Sequence, residues 1–132
     1  MASYEREIRT AARWWRYQVS GVRDGDPLQA DRRSCRLAAR ETLTPPDDRE
    51  LDRLESAIRD DVRAQLAVPG PAPVAFLGTT YAPDLALMDA ADRAGISTRL
   101  FPLRVMMAIR AGVVRVRWEG GTLEPLPLIV EG

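Results

Sequence analysis

Arginine is the residue type in this chain best suited to binding, because it supplies every one of the 19 positive charges. A guanidinium group can hold a phosphate or a carboxylate through two parallel hydrogen bonds. One set of arginines follows a helical period and a second set alternates along two strand-like runs. The first set is Arg6, Arg9, Arg13 and Arg16, and the second is Arg104, Arg110, Arg115 and Arg117. Both sets are candidate surfaces for an acidic protein or for nucleic acid. The alternative for the first set is a solvated helix face supported by pairs such as Glu5 with Arg9.

Catalysis has little support in the composition, because the chain contains no histidine and no lysine. Without histidine it lacks the usual general base near neutral pH and the base of a Ser-His or Cys-His pair. Without lysine it can form neither a Schiff base nor the phosphate-binding centre of a P-loop. We therefore predict that the protein is not an enzyme and has no catalytic residue and no cofactor.

Metal binding and cysteine chemistry are also unsupported. The single Cys35 cannot form an internal disulfide, and a lone cysteine is usually a small buried apolar residue. Gly78-Thr79-Thr80 is predicted to be an ordinary turn rather than an anion-binding loop. Three aspartate pairs lack the spacing of an EF-hand or of a recognised two-metal motif, so we predict no metal site. These pairs are Asp24 with Asp26, Asp47 with Asp48, and Asp60 with Asp61.

Charge is balanced over the whole chain but not along it. The 19 arginines are matched by 19 acidic residues, so no net charge attracts the protein to nucleic acid or to an anionic membrane. Residues 1–40 contain nine arginines and five acids, a charge of +4. Residues 41–66 contain four arginines and eight acids, a charge of −4. We expect these two stretches to neutralise one another in the fold.

The first predicted helix runs from a cap at Ser3 to about Ser20, because apolar residues recur there every three or four positions. Trp15 belongs to this apolar stripe, and Trp14 points about 100° away from it. Trp14 is therefore predicted to lie at the margin of the core beside the arginines. A tryptophan flanked by arginine is typical of an interaction hot spot.

Two further helices are predicted in the first half of the chain. The one over residues 27–41 is less periodic, and the one over residues 45–67 is long, with Thr44 as its cap and Pro45 in its first turn. The long helix carries a repeating apolar seam of the kind found in helical bundles. This seam is formed by Leu51, Leu54, Ile58, Val62 and Leu66.

A proline-rich segment at 68–73 cannot continue a helix, and it separates a helical part, 1–67, from a strand-helix-hairpin part, 74–132. The second part begins with a short buried strand over residues 74–77. A helix follows over residues 83–94, with Gly95 as its stop. The inward residues of this helix are predicted to be Leu87, Met88, Ala91 and Ala94.

A β-hairpin is predicted from the alternating runs 103–109 and 113–118. If Ala111 and Gly112 form a two-residue turn, the apolar residues of both strands share one face. The pairs are then Ile109 with Val114, Met107 with Val116, and Val105 with Trp118. Arg104, Arg110, Arg115 and Arg117 share the other face, which could bind nucleic acid, bind a protein or neutralise the acidic long helix. We favour a protein surface.

The fold predicted from these elements is α+β, with a helical N-terminal half packed on a small antiparallel C-terminal sheet in a single domain, 1–132. Pro125 and Pro127 confine the last strand to an edge or to an irregular extended segment.

Scattered positions resemble a group of small accessory proteins of phages and prophages, over about the first 26 residues and over residues 81–118. They are Trp14-Trp15, Asp24-Gly25-Asp26, Tyr81-Ala82-Pro83-Asp84, Leu87, Ala90-Ala91, Ala94-Gly95-Ile96, Phe101-Pro102, Met107 and Gly112-x-Val114-x-Val116. The group often has Trp-Lys-Thr where this chain has Leu103-Arg104-Val105, so no site is transferred to residues 103–105. The resemblance implies an accessory phage function and supplies no catalytic residue.

The function predicted from the sequence is that of a non-enzymatic, protein-binding modulator with a host-encoded partner, which inhibits a host or defence component. The alternative is a nucleic-acid-binding module that uses the arginine-rich faces, and a homo-oligomer is also left open. We expect a cytoplasmic protein without membrane contact, because the first residues are charged and no apolar run approaches about 18 residues.

Overall fold

The computed structural model describes residues 4–20, 46–80, 83–102, 104–118, 121, 124–126 and 128, except for the side chain of Arg99. The predicted helix over residues 27–41 and Cys35 lie outside these residues. The described part forms the predicted α+β fold. Two long helices cover one face of a four-stranded antiparallel sheet. None of the helices described combines the length and the apolar character needed to cross a membrane.

Helix α1 spans Glu5–Ser20. Its apolar stripe is buried as predicted, with Ile8, Trp15 and Val19 at most 2% exposed. Three polar side chains of the same helix, those of Glu7, Thr10 and Gln18, are also buried. The stripe packs against the sheet and against the second long helix.

Helix α2 spans Asp48–Leu66 and begins at a different cap from the predicted Thr44. The backbone N–H of Glu50 donates to the Asp47 carboxylate over 2.7 Å, and the Asp47 N–H donates to the Glu50 carboxylate over 3.0 Å. This reciprocal capping box satisfies two donors that a single threonine cap could not satisfy together. The seam from Leu51 to Leu66 is buried, as the periodicity predicts.

Strand β1 spans Ala75–Gly78, and helix α3 spans Leu85–Ala94 and ends at Gly95, whose φ of 76° is left-handed. Two orientations differ from the predictions. Phe76, expected in a buried strand, is 55% exposed, and Met88, expected to face inward, is 45% exposed. Phe76 is exposed because β1 is an edge strand with one open face. Met88 is exposed because α2 covers only one side of α3.

Strands β2 and β3 span Val105–Arg110 and Val113–Trp118 and form the predicted hairpin around Ala111 and Gly112. Gly112 has a φ of 81°, a conformation that favours glycine. The register is the predicted one, pairing Val105 with Trp118, Met107 with Val116, and Ile109 with Val114. Strand β4, Glu124–Pro125, is a short edge strand beside β3, as the prolines predict.

One hydrophobic cluster joins α1, α2, α3 and the sheet across the exposed segment 68–72. Asp84 links β1 to α3, because its carboxylate accepts the N–H of Gly78 over 2.8 Å and that of Leu87 over 2.9 Å. The hydroxyl of Thr79 donates to the carbonyl of Pro102 over 2.8 Å. The polar groups of Gly78 and Thr79 are therefore used within the fold, and the predicted turn at 78–80 is instead the end of β1 followed by a β-bridge between Thr79 and Pro83.

Candidate interaction surface

The face of the sheet opposite the described helices is the candidate site. Strand alternation puts the core residues on the inner face and places nine other positions on the opposite side, which we call the outer face. The outer face consists of Phe76, Gly78, Met106, Ala108, Arg110, Val113, Arg115, Arg117 and Pro125. None of these strand positions holds an acidic residue.

Apolar and cationic side chains lie side by side on the outer face. The cross-strand pairing aligns Phe76 with Ala108, Ala108 with Arg115, and Arg115 with Pro125 in one row. Met106 pairs with Arg117 in the next row. Phe76 and Met106 are 55% and 46% exposed, so both retain apolar surface that contact with a partner could bury.

The arginines of the outer face are not used inside the molecule. Arg110, Arg115 and Arg117 are exposed, and their side chains form no hydrogen bond or ion pair with any residue that the structure describes. Four acids of α2, which are Asp52, Glu55, Asp60 and Asp61, pair instead with arginines of the helices. These arginines are Arg16, Arg59, Arg63 and Arg93. Within the described ranges, the outer face therefore does not provide the counter-charge of the long helix, one of the alternatives left open by the sequence.

Arg104 stands apart from the other hairpin arginines. It precedes β2, and its φ of 60° is left-handed, which is uncommon for a residue with a side chain. The alternation of faces holds only in extended backbone, so it does not place the Arg104 side chain in the row of Arg115 and Arg117. Its backbone N–H donates to the carbonyl of Thr80 over 3.1 Å.

Both edges of the sheet are protected against the addition of another strand. At β1, the side-chain amide of Gln65 donates to the carbonyl of Phe76 over 3.1 Å and accepts its N–H over 2.8 Å. At β4, Pro125 has no N–H to donate. A partner strand would find few free backbone groups at either edge, so the open face is the more accessible part of the sheet.

The arginine ridge of α1, formed by Arg6, Arg9, Arg13 and Arg16, does not join this surface. α1 packs on the inner face of the sheet, and the ridge lies on the side of α1 away from its buried stripe. Arg16 forms ion pairs with α2, since its guanidinium contacts Asp52 at 2.6 Å and Glu55 at 3.4 Å.

The other ridge residues differ in their surroundings. Arg6 lies 3.9 Å from the buried Glu7, and Arg9 is half-buried. Arg13 is exposed and forms no ion pair with the residues described. The hydrogen bond to Asp52 raises the pKa of Arg16, so this guanidinium is firmly cationic. The ridge thus contains the ion pairs of Arg16 with Asp52 and Glu55 of α2, as well as exposed charge at Arg6 and Arg13.

Trp14 is half-buried and belongs to an aromatic cluster. Its ring lies 4.8 Å from that of Trp15 in an edge-to-face arrangement and 5.9 Å from that of Trp118. Trp15 is fully buried and also lies 6.1 Å from Phe101. The predicted contrast between a core Trp15 and a marginal Trp14 is confirmed in burial, and the contact with Trp118 gives Trp14 a structural role that the sequence did not indicate.

An acidic network between α2 and α3 was also not predicted. Arg93 of α3 contacts Asp60 at 3.1 Å, Asp61 at 3.6 Å and Asp89 at 3.2 Å. Burial, followed by the nearby charge of Asp89, raises the pKa of Asp61, and Arg93 offsets part of this effect. The described residues contain no group of three or more His, Cys, Asp or Glu that could hold a metal ion. The network is explained as a helix–helix contact.

In comparisons with known proteins, no family model, no curated protein and no solved structure matches this chain.

Proposed function

We propose that this chain is a non-enzymatic binding protein whose partner is another protein, docked on the outer face of the sheet. One observation carries the proposal. Arg115 and Arg117 have no ionic partner among the described residues. Arg117 pairs with the exposed Met106, and Arg115 lies in the same row as the exposed Phe76, with Ala108 between them. This arrangement supports recognition of a surface that combines apolar groups with carboxylates.

The composition of the outer face favours a protein over other partners. Aromatic residues, methionine and arginine are enriched in protein interfaces, and acidic residues are depleted there. Phe76 and Met106 offer apolar area for burial, and the arginines offer orientation and specificity through charge. Net charge is zero, so acidic surfaces elsewhere on the chain would repel a long polyanion.

The resemblance to phage and prophage accessory proteins supports a host-encoded partner. Within this proposal the protein acts in the cytoplasm and inhibits a host or defence component by occupying its surface. The chemistry expected of that surface is an exposed acidic region with at least one apolar side chain to contact Phe76.

Nucleic acid is the second candidate because of one specific feature. An exposed aromatic ring beside arginines can stack on a base of a single strand while the guanidinium groups contact its phosphates. Such binding weakens steeply with salt because counterions are released, whereas contacts to a protein depend on salt less strongly.

The experiment that tests the proposal is affinity capture from a host lysate, with the bound proteins identified by mass spectrometry. Arg115→Glu is the test variant, and Arg49→Glu is the matched control, because Arg49 is an exposed arginine of α2 and does not belong to the sheet. We expect a protein that is captured by the wild type and by Arg49→Glu but lost with Arg115→Glu. Capture that is unaffected by Arg115→Glu, or that disappears after nuclease treatment, would contradict a protein partner on this face.

A further inference from the structure

Helix α3 presents an acidic and apolar face to solvent. Leu85 is 84% exposed and Met88 is 45% exposed, and the exposed acids Asp89 and Asp92 follow at helical spacing. Asp89 lies 3.2 Å from Arg93 of the same helix, and Asp92 has no ion pair with the described residues. The opposite side of the helix is buried through Leu87 and the alanines. Leu85 therefore offers apolar surface that contact with another molecule could bury.

The outer face of the sheet complements this face of α3, because it is cationic where α3 is acidic and is also partly apolar. It combines exposed Phe76 and Met106 with cationic Arg115 and Arg117, whereas α3 combines exposed apolar groups with carboxylates. A chain of zero net charge thus carries a basic apolar face and an acidic apolar face on different elements. Complementary charge of this kind favours association and fixes its orientation.

The dimensions of the two faces also agree. Asp89 and Asp92 lie about one turn apart, so their Cβ atoms are about 5 to 6 Å apart. Arg115 and Arg117 are two residues apart on a strand, which is about 7 Å. Ten residues of helix extend about 15 Å, and four strands are about 14 Å wide from the first to the last.

We propose that α3 of one copy of this chain docks on the outer face of a second copy. The proposal rests on the outer face being the docking surface proposed above, and it means that the second copy and the protein partner compete for it. Packing two outer faces together would instead bring like-charged arginines into contact. The contact proposed is head to tail, so each copy offers α3 on one side and the sheet on the other.

The test is sedimentation velocity of the purified full chain over a range of concentrations. Arg115→Glu disables the sheet face and Asp92→Arg disables the helix face, and each variant alone is expected to associate at least about tenfold more weakly than the wild type. Leu85→Ser removes the apolar contact without changing charge and is expected to weaken association as well. Arg49→Glu and Ala64→Arg change exposed charge on α2 and serve as controls that keep wild-type behaviour.

Mixing the two disabled variants gives the sharpest result. Arg115→Glu keeps an intact α3 and Asp92→Arg keeps an intact sheet face, so an equimolar mixture is expected to form a dimer that does not grow further. A wild type that stays monomeric at every concentration, or a mixture that stays monomeric, would overturn the proposal. If the protein stays monomeric but still captures a partner protein from the lysate, only the proposed self-association is rejected. If it self-associates but captures no partner protein, only the proposed function is rejected.

Discussion

Gln65 pairs with the backbone of Phe76 as a neighbouring strand would, donating to its carbonyl over 3.1 Å and accepting its N–H over 2.8 Å. A residue of α2 therefore occupies the edge of β1 at its centre. The Phe76 side chain remains on the outer face, 55% exposed. The same contact that closes the edge holds an apolar group of the open face in place.

The first prediction concerns this closed edge. Gln65→Ala removes both hydrogen bonds and leaves the Phe76 backbone groups free for another chain, so we expect concentration-dependent aggregation. The loss of stability is expected to be small, about 1 kcal/mol, because water can replace the lost bonds at an exposed site. Light scattering during a thermal ramp measures the aggregation, with Gln65→Glu as a control that keeps an acceptor. Aggregation of the control to the same extent would indicate that charge or helix packing, rather than the edge, is responsible.

Trp14 and Trp15 are expected to differ in their effect on stability. Trp15→Ala empties a fully buried site and should cost about 3 to 5 kcal/mol. Trp14→Ala should cost less, about 1 to 2 kcal/mol, because Trp14 is half-buried and loses mainly its contacts with Trp15 and Trp118. Chemical denaturation of both variants measures the difference. Equal losses would contradict the burial of the two side chains described above.

Arg16 and Arg13 form a matched pair on α1. Arg16→Ala breaks the contacts with Asp52 and Glu55 and should lower the free energy of unfolding by about 0.5 kcal/mol at low salt. Arg13→Ala should have no measurable effect, because Arg13 has no ion pair with the described residues. The effect at Arg16 should shrink as salt is added. A loss at Arg13 equal to that at Arg16 would show that helix propensity, not the ion pair, sets the stability.

Asp61 gives a pH-dependent prediction. Burial raises its pKa in the fold, so the folded state holds the proton more tightly than the unfolded state does, and its ionised form destabilises the fold. The protonated carboxyl of Asp61 therefore contributes to stability at acid pH, and this contribution is lost as the pH rises through the pKa of Asp61 in the folded state. Asp61→Asn should therefore raise the melting temperature at pH 7, and the gain should disappear below the ordinary pKa of an aspartate.

Asp60→Asn is the control for that experiment, because Asp60 is exposed and pairs with both Arg63 and Arg93. It should not stabilise the protein at pH 7. A gain for Asp60→Asn, or none for Asp61→Asn, would contradict an unfavourable ionised carboxylate at position 61.

The hairpin could be predicted from sequence because its information is local. The glycine of the turn and the alternation of apolar residues together fix the register that pairs Met107 with Val116. The cap of α2 was less predictable, since Thr44 and Asp47 both carry acceptor side chains. The capping box with Glu50 decides in favour of Asp47.

The candidate site was predictable only in part. Alternation identifies Arg115 and Arg117 as outward residues, but it could not reveal that the acids of α2 pair with other arginines, because those contacts join distant positions in the chain. Phe76 was also missed, because a short apolar run does not show which face of an edge strand is open. The closure of that edge by Gln65 depends on how α2 packs beside β1.

The measurement that tests the central claim most directly is calorimetric titration of the captured partner with the wild type, Arg115→Glu, Arg117→Glu and Arg49→Glu, at low and high salt. We predict that both outer-face variants weaken binding by at least about tenfold, that Arg49→Glu binds like the wild type, and that the salt dependence is shallow. Wild-type affinity in both outer-face variants would contradict docking on the sheet. Tight binding of single-stranded oligonucleotides that falls steeply with salt would identify nucleic acid as the ligand instead.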